Sequence, residues 1–106
     1  MSKEYDDLME MIKKFVKDRD WDQFHYPKDL AISLNLEAAE LLECFQWKNN
    51  EEVEKMVKDK KEKEHLEEEI ADVAIYLMQL AHSLDIDLKE SIEDKMLKNA
   101  KKYPIK

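Results

Sequence analysis

The chain contains no glycine, and its only prolines are Pro27 and Pro104. Without glycine a backbone has no cheap route to positive φ, which tight hairpins and many strand bulges require. Helices joined by short connections are what such a chain can build. The expected fold class is all-α, a helical bundle of four to five helices. The length of 106 residues suits one domain over 1–106 with a modest core.

Apolar spacing divides the chain into five helical segments. The first runs from about Lys3 to Asp18, with Leu8, Met11, Ile12, Phe15 and Val16 as its apolar stripe. The stretch DWDQFHYPKD follows, where Pro27 favours an extended residue before it and a helix start after it. The second helix is expected from about Asp29 to Trp47, ended by Asn49 and Asn50. The third, from about Glu51 to Lys61, is short and highly charged and reads as a solvated connector. The fourth spans about Glu64 to Leu84, and the last about Leu88 to Lys102, stopped by Pro104.

The fourth helix raises a question of charge. In EEEIADVAIYLMQLAHSL nearly every residue from Ile70 to Ala81 is apolar, yet Asp72 sits among them. Glu69 and Asp72 are three apart, as are Glu37 and Glu40 on the second helix, so each pair shares a helix face. Glu37 also interrupts a stripe between Leu34 and Leu41. No Lys or Arg occurs between Lys28 and Lys48, or between Lys63 and Lys89. An ionised carboxylate left unpaired in apolar surroundings costs several kcal/mol. These acids can protonate, face water as ordinary surface groups, or bind a divalent cation. All-oxygen ligation without cysteine suits Mg²⁺, or Mn²⁺, better than Zn²⁺. A di-iron bundle needs two Glu-x-x-His motifs, and the chain has one, Glu62 to His65.

A net charge of −8 argues against binding a nucleic acid polymer, but not against a small phosphorylated ligand that arrives with a metal ion. No run approaches the ~18–20 apolar residues of a membrane span, so no membrane partner is expected. The start, MSKEYDDLMEM, has no apolar signal-like region. Cys44 is the single cysteine, and a reducing cytoplasm is the simpler setting for it. Trp21, Phe24, His25 and Tyr26 cluster ahead of the second helix, and Trp47 ends it. Such aromatics either plug the end of a bundle or sandwich a nucleobase. Lys95, Asn99 and Lys102 fall on one face of the last helix, as a cation cluster suited to a helix C-terminus or as a clamp for a polyphosphate.

Four stretches, DWDQFHYPKDL, LNLEAAELLECFQWK, EEEIADVAIYL and DKMLKNAKKYP, resemble the MazG-like all-α nucleotide pyrophosphohydrolases, most closely their dCTP pyrophosphatase branch. The resemblance covers Arg19 to Pro104. It implies Mg²⁺-dependent hydrolysis of a nucleoside triphosphate, dCTP or a modified dCTP, between the α and β phosphates. It implies Glu37, Glu40, Glu69 and Asp72 as metal ligands, with one of the glutamates or Glu43 handling the attacking water. Trp21, His25 and Trp47 match residues lining the nucleotide pocket, and Tyr76, Lys95, Asn99 and, more weakly, Lys102 match nucleotide contacts on the fourth and last helices. It further implies a homo-oligomer, a dimer or a tetramer, that completes the bundle and builds its sites across subunits. Two positions depart from the pattern of close relatives: Ile12 stands where they have a histidine, and Ser83 where they have a basic residue. Both bear on base preference. The alternatives are a dUTP or broad-specificity enzyme on the same scaffold, and a non-catalytic helical interaction protein.

Overall fold

The computed structural model describes residues 2–105, and among them every regular element is helical. The order is α1 (Lys3–Asp18), a three-residue 3-10 turn (Asp22–Phe24), α2 (Pro27–Glu43), α3 (Asn50–Met56), α4 (Lys60–Ser83) and α5 (Leu88–Lys102). Each longer helix except α2 opens on a polar cap that satisfies free amide groups. Ser2 accepts from the Tyr5 amide, Asp59 from those of Lys61 and Glu62, and Asp87 from that of Glu90. α2 opens on Pro27, which has no amide hydrogen to satisfy. Asn49 and Glu52 form a reciprocal capping box at α3.

The helix ends show how a chain without glycine closes its helices. After α1 and α4, Asp20 and Asp85 take φ of 56° and 55°. Around them the Trp21 amide reaches the Val16 carbonyl at 3.0 Å, and the Ile86 amide reaches that of Ala81 at 2.9 Å. This is the left-handed closure glycine usually supplies, and aspartate is among the few other residues that tolerate it.

Three helices differ from their expected bounds. α2 starts at Pro27 itself and ends at Glu43, after which turns carry the chain to Trp47. α4 begins four residues early, because Asp59 caps it. α3 is shorter than expected and is not merely a solvated connector, since Met56 is only 5% exposed.

α2 and α4 form the principal packing interface, and α1 lies against α4. The buried apolar side chains are Met9 of α1, Leu30 of α2, Met56 of α3, and Leu66, Met78 and Ala81 of α4. α5 adds none, and Ile92, Met96 and Leu97 on it are exposed. Ile32, Leu36 and Leu42 of α2 and Ile70 of α4 are exposed as well. The radius of gyration is 16.7 Å, against about 13 Å for a compact chain of this length. The accessible surface is 8897 Å², where roughly 6,300 Å² is usual for this mass. The bundle is open on its α2 and α5 sides.

Candidate functional site

The packing of α2 on α4 brings two acidic pairs face to face. Carboxylate oxygens of Glu37, Glu40 and Glu69 all lie within 4.8 Å of one another. Three turns of two helices thus hold three acids with rigid backbone behind each, a geometry suited to gripping one cation. Asp72, one turn beyond Glu69, stands outside this tight group. It is close enough to act on Glu37 through its charge.

The group is electrostatically unbalanced. Oε2 of Glu37 and Oε2 of Glu69 are buried without a hydrogen-bond partner among the described residues. Among the described residues the only ion-pair partner of the three is His65, whose Nε2 lies 3.7 Å from Oε1 of Glu69. The Glu37 carboxyl is raised above the ordinary glutamate range. Burial is the first cause, followed by the hydrogen bond and charge of Glu40, then the charges of Asp72 and Glu69. Orphaned oxygens and mutual repulsion are what a divalent cation removes, and the donor set is all oxygen. The residues therefore fit a hard divalent metal ion.

A cavity of about 520 Å³ opens beside the acids. Glu40 and Glu69 line it, with Glu43, Glu62, His65, Cys44 and Met56, and Lys48 and Lys61 supply its positive charge. Composition alone had not marked these lysines. They flank a cation-poor helix pair in sequence, and only the turn after α2 and the start of α4 bring them to its end.

The aromatic and α5 residues are placed otherwise. Trp21 is half-exposed and Trp47 is 85% exposed, each outside an α-helix. Tyr76 is half-buried on α4. Lys95 and Lys102 are exposed and Asn99 half-buried on α5, which makes no substantial contact with α2 or α4. None of these six lines the cavity beside the acids. His25 lines a second cavity of about 270 Å³, between α1, the start of α2 and the end of α4, and its Nδ1 is buried without a partner. Ile12 and Ser83, the two positions expected from the sequence to depart from the family pattern, line that same cavity with Met9, Val16, Leu30, Gln79 and His82.

Known proteins resemble this chain in sequence and in fold. The chain is 39% identical over 100 residues to dCTP pyrophosphatase 1 of Mus musculus, a stretch that is 94% of this chain and 59% of that protein. It is 38% identical over 99 residues to dCTP pyrophosphatase 1 of Homo sapiens, covering 93% of this chain and 58% of that one. The chain thus spans a little under three-fifths of the length of these curated relatives. A crystal structure of a pyrophosphatase from Archaeoglobus fulgidus superposes with a TM-score of 0.87 at 41% identity, covering 99% of this chain and 96% of that one. The model of the MazG-like family matches residues 32–106, which carry all four acids and the whole of α5. With the helical order, the paired acids and this match in agreement, the chain belongs to the MazG-like family.

Proposed function

We propose that the chain is a nucleoside triphosphate pyrophosphohydrolase. It hydrolyses a (deoxy)nucleoside triphosphate between the α and β phosphates, giving a monophosphate and pyrophosphate, with Mg²⁺ as its metal. The observation that carries this reading is the group of Glu37, Glu40 and Glu69, with two buried oxygens that none of the described residues satisfies. Together with Asp72 they would hold the cation. When bound, the ion neutralises the triphosphate against the acids and eases loss of a proton from the attacking water. Glu43 lines the same cavity outside the tight group, which makes its carboxylate the candidate to orient that water and accept the proton. Lys48 and Lys61 line the same cavity and would supply positive charge to the substrate's phosphates.

The substrate we favour is dCTP or a modified dCTP, supported by the activity named for the mouse and human relatives. Trp21, His25, Trp47 and Tyr76 are assigned to the nucleoside and Lys95, Asn99 and Lys102 to the phosphates. The assignment of α5 goes with a homo-oligomer, because α5 makes no substantial contact with α2 or α4 within one chain. The roughly 2,600 Å² by which the chain's surface exceeds that of a compact monomer is the scale of an obligate interface. A cytoplasmic setting is our reading from the single Cys44, and no helix among the described residues is long and apolar enough to cross a membrane.

The test is to incubate the protein with each common NTP and dNTP, and with 5-methyl-dCTP, in Mg²⁺ and in EDTA. Monophosphate and pyrophosphate that vanish in EDTA are expected, with cytosine nucleotides ranked first. Diphosphate and orthophosphate would mean a different reaction at these acids. No turnover at all would leave a helical interaction protein.

A further inference from the structure

Phe15 belongs by spacing to the apolar stripe of α1, yet it is 48% exposed. Its ring meets Trp21 edge to face, with centroids 5.7 Å apart and planes at 71°. The Arg19 guanidinium lies 3.6 Å over the Phe15 ring, and its Nη1 donates to the Phe15 carbonyl at 3.1 Å. Three further features fix the chain between these rings. Asp20 adopts positive φ, the Trp21 amide closes on Val16, and the Gln23 amide nitrogen donates to both the carbonyl and a carboxylate oxygen of Asp20 at 2.9 Å.

A pair of aromatic rings this exposed contributes little to a core. The same contacts do restrict Trp21, which sits just before a three-residue turn and would otherwise sample several rotamers. Edge-to-face geometry within this distance is the favoured aromatic pairing, and a guanidinium over the far partner pins it. Trp21 keeps 44% of its surface open to a planar ligand.

We infer that Phe15, clamped by Arg19, is a positioning residue that holds the Trp21 indole ready to stack on the substrate's nucleobase. The inference rests on the nucleotide-hydrolase reading above. A pre-ordered indole does not have to be immobilised when substrate binds, so its loss weakens binding and spares chemistry.

Two measurements test it. In steady-state hydrolysis of dCTP with saturating Mg²⁺, Phe15→Leu should raise KM roughly three- to ten-fold with kcat little changed. Phe15→Tyr should restore KM, and Arg19→Gln should raise it by less. In a Trp47→Phe background Trp21 is the only tryptophan, since the chain has two. There Phe15→Leu should increase acrylamide quenching of its emission and lower its anisotropy. An unchanged KM with unchanged emission in Phe15→Leu, while the wild-type chain turns over, would overturn this inference and leave the hydrolase reading standing. A fall in kcat at constant KM would overturn it too. A wild-type chain with no turnover would remove the parent reading and the base-stacking role together. Should Phe15→Leu lose helicity, Arg19→Gln carries the same two readouts, since it leaves both rings in place.

Discussion

Glu37 is the residue at which function and stability oppose each other. Its carboxyl holds a proton in the folded chain at pH values where the unfolded chain has released it, because burial, Glu40 and the charges of Asp72 and Glu69 all raise it. The folded state therefore binds more protons than the unfolded state just above the ordinary glutamate range. Stability rises as pH falls through that window and declines as pH climbs through it. Metal-free protein should resist urea better at about pH 5 than at about pH 7.5, and Mg²⁺ should stabilise it more at the higher pH. Glu37→Gln removes one of the repelling charges. It should raise the stability of the metal-free protein and flatten this pH profile, while abolishing the thermal shift given by Mg²⁺ and the turnover with it. Asp72 lies outside the tight trio, so its role is separable. Asp72→Asn should lower Mg²⁺-dependent turnover by about 100-fold or more. Unchanged turnover would reduce Asp72 to a bystander charge on an apolar helix.

At the scale of elements, α4 is the axis of the molecule, since both α1 and α2 pack on it and it carries Glu69 and Asp72. Its start depends on Asp59, whose Oδ1 accepts from the Lys61 and Glu62 amides at 3.0 and 3.1 Å. Asp59→Ala should cost about 1 kcal/mol in chemical denaturation at fixed protein concentration, and amide exchange should quicken first in the opening turn of α4. That boundary was hard to read from sequence. KDKKEKEHLEEE has no apolar period, so the helix there is set by its cap and by Leu66, not by a stripe. The ends of α1 and α4 were legible to within a residue, but their mode of closure was not, because the left-handed closing residues are Asp20 and Asp85, two among many acids, in place of glycine. The all-helical class and the paired acids were legible, since absent glycine and three-residue spacing act through local geometry alone. The meeting of Glu37 and Glu40 with Glu69 was not fixed by any one helix, and neither was the Phe15–Trp21 stack. Both depend on contacts between segments, which periodicity does not encode.

The whole molecule leaves many large apolar side chains exposed, Ile32, Leu36, Ile92 and Met96 among them, and its surface is larger than is usual for this mass. The unpartnered face of α5 carries Ile92 and Met96 at i and i+4, with Asn99 half-buried a turn further on. Met96 is 60% exposed, and no helix of the same chain packs substantially on α5. If a second copy covers this face, the phosphate-binding residues assigned to α5 reach the acids of a neighbour, and assembly and turnover rise and fall together. Light scattering should then give a mass of two or four chains. The unfolding midpoint should increase with protein concentration, because a chain whose bundle closes only in the assembly is stabilised by mass action. Met96→Asp places a charge in that contact without touching α2 or α4. It should lower the measured mass, raise the concentration needed for half-maximal specific activity, and leave the helical signal of the assembled fraction intact. A monomer of full activity would show that each chain completes its own site, and the exposed stripe of α5 would then need a different partner.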